Sequence, residues 1–145
     1  MTTPNVRSFD FRKVSLIFGA HVVRAYMDES SINAEPVGEG VNTVAGADGD
    51  VARSINTDQR WRITVQLLQS SDSNNVFSAA YNADNASGGM GVVPCALRDN
   101  NGLTLLAASS AWVVRPATVA YGRTVTGREW IIEGVFDSFI GASGV

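Results

Sequence analysis

The sequence predicts a mainly β protein with one short flanking α-helix, and three observations carry that expectation. Residues 61–67 alternate, with Trp61, Ile63, Val65 and Leu67 on one face and Arg62, Thr64 and Gln66 on the other. Period-two spacing of aromatic and β-branched residues marks a half-buried strand. Only one later stretch changes period: Val76, Phe77, Ala80, Tyr81 and Asp84 follow helical spacing, with Phe77 and Tyr81 one turn apart. Elsewhere short apolar runs are separated by Gly, Asn, Asp and Pro, the residues that turns require.

Taken in order, residues 1–8 read as an extended arm. Phe9 and Phe11 share one parity, while Val14, Leu16 and Phe18 share the other. That phase flip predicts a bulge near Arg12-Lys13, or two short strands joined there. Gly19-Ala20 is a turn, followed by a strand over residues 21–27 and a connection at 28–31. Residues 32–37 form a strand that Pro36 places at a sheet edge or a strand end, because proline cannot donate to a ladder. Residues 41–45 and 51–55 pair as a hairpin around Gly46-Ala-Asp-Gly49.

The polar cluster 70–73 then ends the strong strand and supplies helix caps, and the helix runs to about Asn85, before Gly88-Gly89. Residues 86–91 are a flexible connection. Residues 92–97, the turn 100–102 and residues 103–114 make a second hairpin that Pro116 closes. The last strand, 128–139, puts Trp130, Ile132 and Phe136 on a core face interrupted by Gly134. Its other face mixes Glu129, Glu133 and Asp137 with Ile131, Val135 and Phe139. Such a face suits another subunit, a narrow polar channel or solvent.

At 145 residues and 45% hydrophobic content, one domain spanning 1–145 is expected, with a sizeable core. No apolar run reaches the ~18 residues that would span a bilayer, and the N-terminus has no signal-like apolar segment. One cysteine, Cys95, allows no intramolecular disulfide, which fits folding in a reducing cytoplasm.

Between Arg24 and Arg53 there is no basic residue, while Asp28, Glu29, Glu35, Glu39, Asp48 and Asp50 all fall in that interval. These are either solvated loops or a surface kept negative, and a negative surface repels nucleic acid. The ten arginines and Lys13 are scattered. A nucleic-acid-binding β-barrel of the OB type needs a basic groove with aromatic platforms, so that alternative ranks low.

Catalytic sets are not assembled by the sequence. The lone His21 lies in an apolar strand context, where a backbone partner would satisfy it. Cys95 sits in the apolar run Val-Val-Pro-Cys-Ala-Leu and reads as a buried thiol. One Cys and one His make a zinc site improbable chemistry, and Asp48-Gly-Asp50 lacks the spacing of a calcium loop. Gly88-Gly-Met-Gly91 follows a helix rather than opening one, so it reads as a turn and not a phosphate cradle. A non-enzymatic structural or binding protein without metal or cofactor is expected.

The order of features is also informative. A short arm precedes a Gly-Ala-Asp-Gly turn, a Thr-Val-Gln-Leu-Leu strand, a polar cap and a helix ending Ala-Ala-Tyr-Asn. A late hairpin with Ala-Trp then Pro, and a Glu-Trp-Ile-Ile-Glu-Gly strand, follow. Over roughly residues 41–139 this resembles the tail tube proteins of contractile-tailed bacteriophages. The resemblance implies a β-sandwich or barrel protomer with one helix, joined to its neighbours as a continuous barrel in a hexameric ring. Rings would stack into a conduit for genome delivery, with sheath, baseplate and tail terminator proteins as partners. DNA would pass through without specific binding, no membrane would be involved, and the protein would reside in the virion after synthesis in the host cytoplasm. A tail terminator or baseplate ring protein sharing the tube fold is the alternative. Glu35, Glu39, Asp48 and Asp50 are then candidates for the lumen wall or the ring interface, with the Asp48-Gly49-Asp50 turn best suited to the interface.

Overall fold

The computed structural model describes residues 8, 10–27, 32–99 and 103–141. Most of the arm expected at residues 1–8, the 28–31 connection and the 100–102 turn lie outside the described residues. The strands are β1 (Val14–Phe18), β2 (His21–Val22), β3 (Ile32–Pro36), β4 (Val41–Ala45), β5 (Val51–Ile55), β6 (Arg60–Leu68), β7 (Val93–Asp99), β8 (Leu103–Arg115) and β9 (Gly127–Phe139). One helix, α1 (Ser73–Ser87), lies between β6 and β7. Seven strands form a sheet in the order β2-β1-β7-β8-β9-β6-β3, with antiparallel pairings throughout. β4 and β5 pair only with each other.

The β-sandwich or barrel expectation is therefore corrected in part. The fold is mainly β with one helix, but the large sheet ends at β2 and β3 and does not close. Residues 23–27 cross between β1 and β6 instead of extending a strand. Val23 N–H donates to Leu16 O at 2.9 Å, Leu68 N–H to Ala25 O at 2.8 Å and Met27 N–H to Gln66 O at 3.0 Å. Ala25, at φ +58°, makes the bend, which is why the strand expected over 21–27 ends at Val22. The phase flip near Arg12-Lys13 is not a bulge but a 3-10 turn at Phe11–Lys13, started by Asp10, whose carboxylate accepts from Arg12 N–H.

β6 and its partners build the core. Ile63, Val65 and Leu67 are fully buried, and Trp61 is half-buried. Val65 faces Trp130 across the β6–β9 ladder, so their side chains share a face of the sheet. Phe77 of α1 packs on that face, its ring 5.5 Å from Trp130 and 5.3 Å from Phe18. The strand face and helix face predicted from sequence thus meet, with Tyr81 and Ala80 at the margin of the same cluster. Trp61 lies at the far end of β6, against Phe139 at 4.8 Å.

Caps and glycines set the ends of these elements. Asp72 makes no side-chain cap bond; Ser71 Oγ accepts from Ser73 N–H instead and donates to Arg24 O at 2.6 Å. The helix runs two residues past Asn85 and stops at Gly88, whose φ of +69° only glycine adopts without strain. Gly91 donates to the Asp84 carboxylate at 3.0 Å, and a Cβ there would lie 2.6 Å from that of Asp84. The 86–91 stretch is therefore a hydrogen-bonded stop. Gly134 faces Trp61 on one side and Ala111 on the other. A Cβ at Gly134 would stand 2.8 Å from Ser110 O, so only glycine admits that approach.

Leu67→Ala should destabilise the protein by about 2–5 kcal/mol, the range for emptying a fully buried leucine site. Urea denaturation of the soluble chain measures it, and a loss well under about 1 kcal/mol would place this face outside the core.

Candidate assembly surface

The sites that could have carried chemistry resolve first. His21 Nε2 lies 2.8 Å from Ser73 Oγ, so its partner is a helix-terminal hydroxyl and not the backbone group expected. Ser73 Oγ also accepts from Arg24 N–H at 3.0 Å, and Ser73 is buried. This pair staples β2 to the start of α1. Cys95 is buried, and desolvation pushes its thiol up to about 12. At neutral pH such a thiol carries almost no thiolate. Among the described residues, no group of three or more His, Cys, Asp or Glu is placed to hold a metal ion.

The features that remain belong to surfaces. Val41, Val44, Val51 and Ile55 lie on β4 and β5, every residue of which is exposed. Val44, Val51 and Ile55 retain 71%, 65% and 74% of their accessible surface. The register Val41↔Ile55, Thr43↔Arg53 and Ala45↔Val51 puts four apolar side chains on one side of the hairpin. Its base is held by Asn56 N–H donating to Gly40 O at 2.8 Å and by the Asn56 amide donating to Glu39 O at 2.9 Å. Its tip closes with Gly46 N–H donating to Asp50 O at 2.7 Å and Gly49 at φ +94°. An isolated two-stranded hairpin is marginal in water, because it has no layer to bury its apolar side against.

The second surface is the sheet face opposite α1. Register places Glu35, Arg62, Glu133 and Trp112 in one row across β3, β6, β9 and β8. Glu133 is buried, and its carboxylate accepts from Arg60 at 3.3 Å and Arg62 at 3.1 Å. Arg60 also pairs with Asp58 at 2.9 Å, which holds the Asp58 carboxyl below its ordinary value. The acid-only interval of the sequence is therefore not an acid-only surface at β3. Glu35 stands directly across from Arg62.

The four predicted acids do not come together. Glu35 is on the edge strand β3, with Pro36 as its last residue; Glu39 is at the hairpin base; Asp48 and Asp50 are at its tip. All four are exposed. Sequence reasoning placed the hairpin, but did not show that it stands apart from the core. It also missed the two-arginine cradle of Glu133, because the residues are about seventy positions apart and only the β6–β9 register joins them.

Comparisons with known proteins follow the same direction. No family model matches the chain. A structural protein of Pseudomonas phage KPP10, ORF10, is 25% identical over 114 residues, covering 78% of this chain and 66% of that protein. The chain thus spans just under two thirds of that relative's length. Two solved structures share the fold. The sheath/tube terminator of an extracellular contractile injection system, PVC, aligns with a TM-score of 0.53 at 11% identity, over 92% of this chain and 95% of the other. The tube-terminating cap of the anti-feeding prophage gives 0.50 at 10% identity, over 92% and 91%. The resemblance drawn from the motifs is met by a phage structural protein on one side and contractile injection components on the other.

Two outcomes test the surface assignment. Replacing residues 41–55 with a short Gly-Ser linker should leave the unfolding free energy of the body within about 0.5 kcal/mol, since the hairpin adds nothing to the core; loss of the folded state would contradict it. Iodoacetamide at pH 8 should leave Cys95 unmodified in the native chain and modify it in guanidinium, whereas rapid native labelling would mean the thiol is accessible.

Proposed function

We propose that this chain is a non-enzymatic structural subunit of a contractile phage tail, and that it forms the ring which ends the tube. The observation that carries this reading is the near end-to-end match with two terminating proteins, in which neither chain has a large unmatched portion. The repeating tube subunit, which the motifs suggested first, has weaker support, since both neighbours are terminators or caps. A baseplate ring subunit and a nucleic-acid-binding barrel are supported by neither.

The geometry suits a ring protein. A closed ring gives every exposed edge and arm the same partner on the next copy, which is how symmetric assemblies remove unpaired strands and apolar faces. The open sheet edge at β3 and the uncovered β4–β5 hairpin are two such features on one protomer. Six copies are the expected number. Glu35 then sits on the sheet face turned toward the channel, with Arg62 beside it, so the wall is mixed in charge rather than uniformly repulsive. DNA would pass such a wall without being gripped, since the arginines of this face, Arg60 and Arg62, are held by the Glu133 carboxylate and offer little free charge to phosphate. Asp48 and Asp50 are directed to a neighbouring subunit. Sheath, tube and baseplate proteins are the partners, the virion tail is the location, and neither a cofactor nor a membrane has a part.

Immunogold labelling of purified virions with an antibody to this chain tests the reading. Label confined to one end of the tail is expected. Label along the whole tail would make the chain the tube subunit, and particles without label would remove it from the virion.

A further inference from the structure

Arg128, the second residue of β9, is 7% exposed and lies within salt-bridge distance of no carboxylate among the described residues. Its Nη1 donates to Ala120 O at 3.3 Å, Thr126 Oγ1 at 3.0 Å and Gly127 O at 3.2 Å. Those bonds use one of the three guanidinium nitrogens. Nε and Nη2 donate to nothing among the described residues, and they form the side of the fork that binds a carboxylate through two parallel bonds. The guanidinium carbon is 5.2 Å from the ring centre of Tyr121, which is itself 81% exposed. Beside them is a 240 Å³ pocket that Gln69, Asn74, Ser78, Tyr121, Arg128 and Trp130 help to line. Neither nitrogen is a fully buried, unpartnered atom, so both open toward solvent, and the pocket beside them lets an anion reach them from outside.

The place of this pocket identifies the anion's source. Arg128 pairs with Leu67 near the end of β6, while the hairpin joins the molecule at the start of β6, where Val37 N–H donates to Arg60 O. Seven steps of strand, about 23 Å, separate Arg60 from Leu67. The exposed arm that carries Asp48 and Asp50 at its tip is thus rooted at one end of the protomer. The opposite end presents a pocket whose cation has no carboxylate. Donor and acceptor rooted at opposite ends of one chain are the arrangement of a head-to-tail interface, which propagates into a ring or a stack.

We infer that the Arg128 pocket binds a carboxylate supplied by the Asp48–Asp50 hairpin tip of a second copy of this chain. The inference rests on the ring-subunit reading and names the contact that joins its copies. Tyr121 covers the inserted side chain, and the apolar side of the incoming hairpin gains the cover it lacks in the protomer.

The test uses the full chain in sedimentation velocity. Asp48→Asn/Asp50→Asn should associate about tenfold or more weakly than the unaltered chain, and Arg128→Glu likewise. Mixed together, the two variants should form one-to-one pairs and nothing larger, because only one intact tip and one intact pocket remain. Arg128 also holds the 120–127 turn, so a second arm leaves it in place. Asp48→Cys in one chain and Tyr121→Cys in another should cross-link on mild oxidation. Tip variants that assemble as the unaltered chain does, or cysteines that stay unlinked in assembled rings, overturn the inference and leave the ring reading standing. Weak association of Arg128→Glu alone would give the pocket to a different carboxylate and overturn the named partner. An unaltered chain that stays monomeric at every concentration removes both readings.

Discussion

Phe77 touches Phe18 and Trp130 at once, and through that three-ring contact a 15-residue helix covers the inner face of a seven-stranded sheet. The contact is held in register by Asn74, which donates to Leu68 O at 3.0 Å and accepts from the Trp130 indole at 2.9 Å. Ser71 and Ser73 tie the same helix end to residues 21 and 24. Apart from the 3-10 turn at Phe11–Lys13 there is no other helix among the described residues, and so no second covering layer. The rest of the surface follows from that shortage. The outer sheet face must be polar or paired, the β3 edge stays open, and the β4–β5 hairpin has nothing of its own to pack against.

The outer face meets the constraint with charge. Glu133 would be an expensive buried carboxylate alone, but two arginines on the neighbouring strand supply its hydrogen bonds and its counter-charge. Both arginines are themselves close to half exposed, so solvent screens the pair and its main effect is to fix register. The hairpin meets the constraint in no such way. Its valines and Ile55 face solvent, and its acids sit at the tip. A hairpin whose apolar side is left uncovered in the protomer is the kind of exposed patch that marks an interaction surface.

Local chemistry was legible in the sequence, and distant chemistry was not. The hairpin was readable to the residue because Gly46, Gly49 and the flanking alternation fix turn and register within fifteen positions. Pro36 put β3 at an edge for a reason internal to proline, and it lies at the edge of the large sheet. The strand face of β6 and the helix face carrying Phe77 were likewise set by periodicity. By contrast, the end of β2 depends on a bend at Ala25, a residue with no turn preference, and on bonds to Leu16, Gln66 and Leu68 that no local pattern encodes. Whether a sheet closes depends on strand tilt and stagger around its whole circuit, which alternation does not specify. Glu133 and Arg128 took their significance from partners present or missing across the fold.

The central claim is that the β4–β5 hairpin is completed by assembly, and hydrogen exchange of its backbone amides tests it most directly. In dilute protomer, amides of residues 41–55 should exchange far faster than those of β6, because only the local hairpin bonds protect them. In assembled rings the same amides should slow markedly while those of β6 change little. Equal, strong protection of hairpin and β6 in the isolated protomer would contradict the claim. So would hairpin amides that remain fast after assembly.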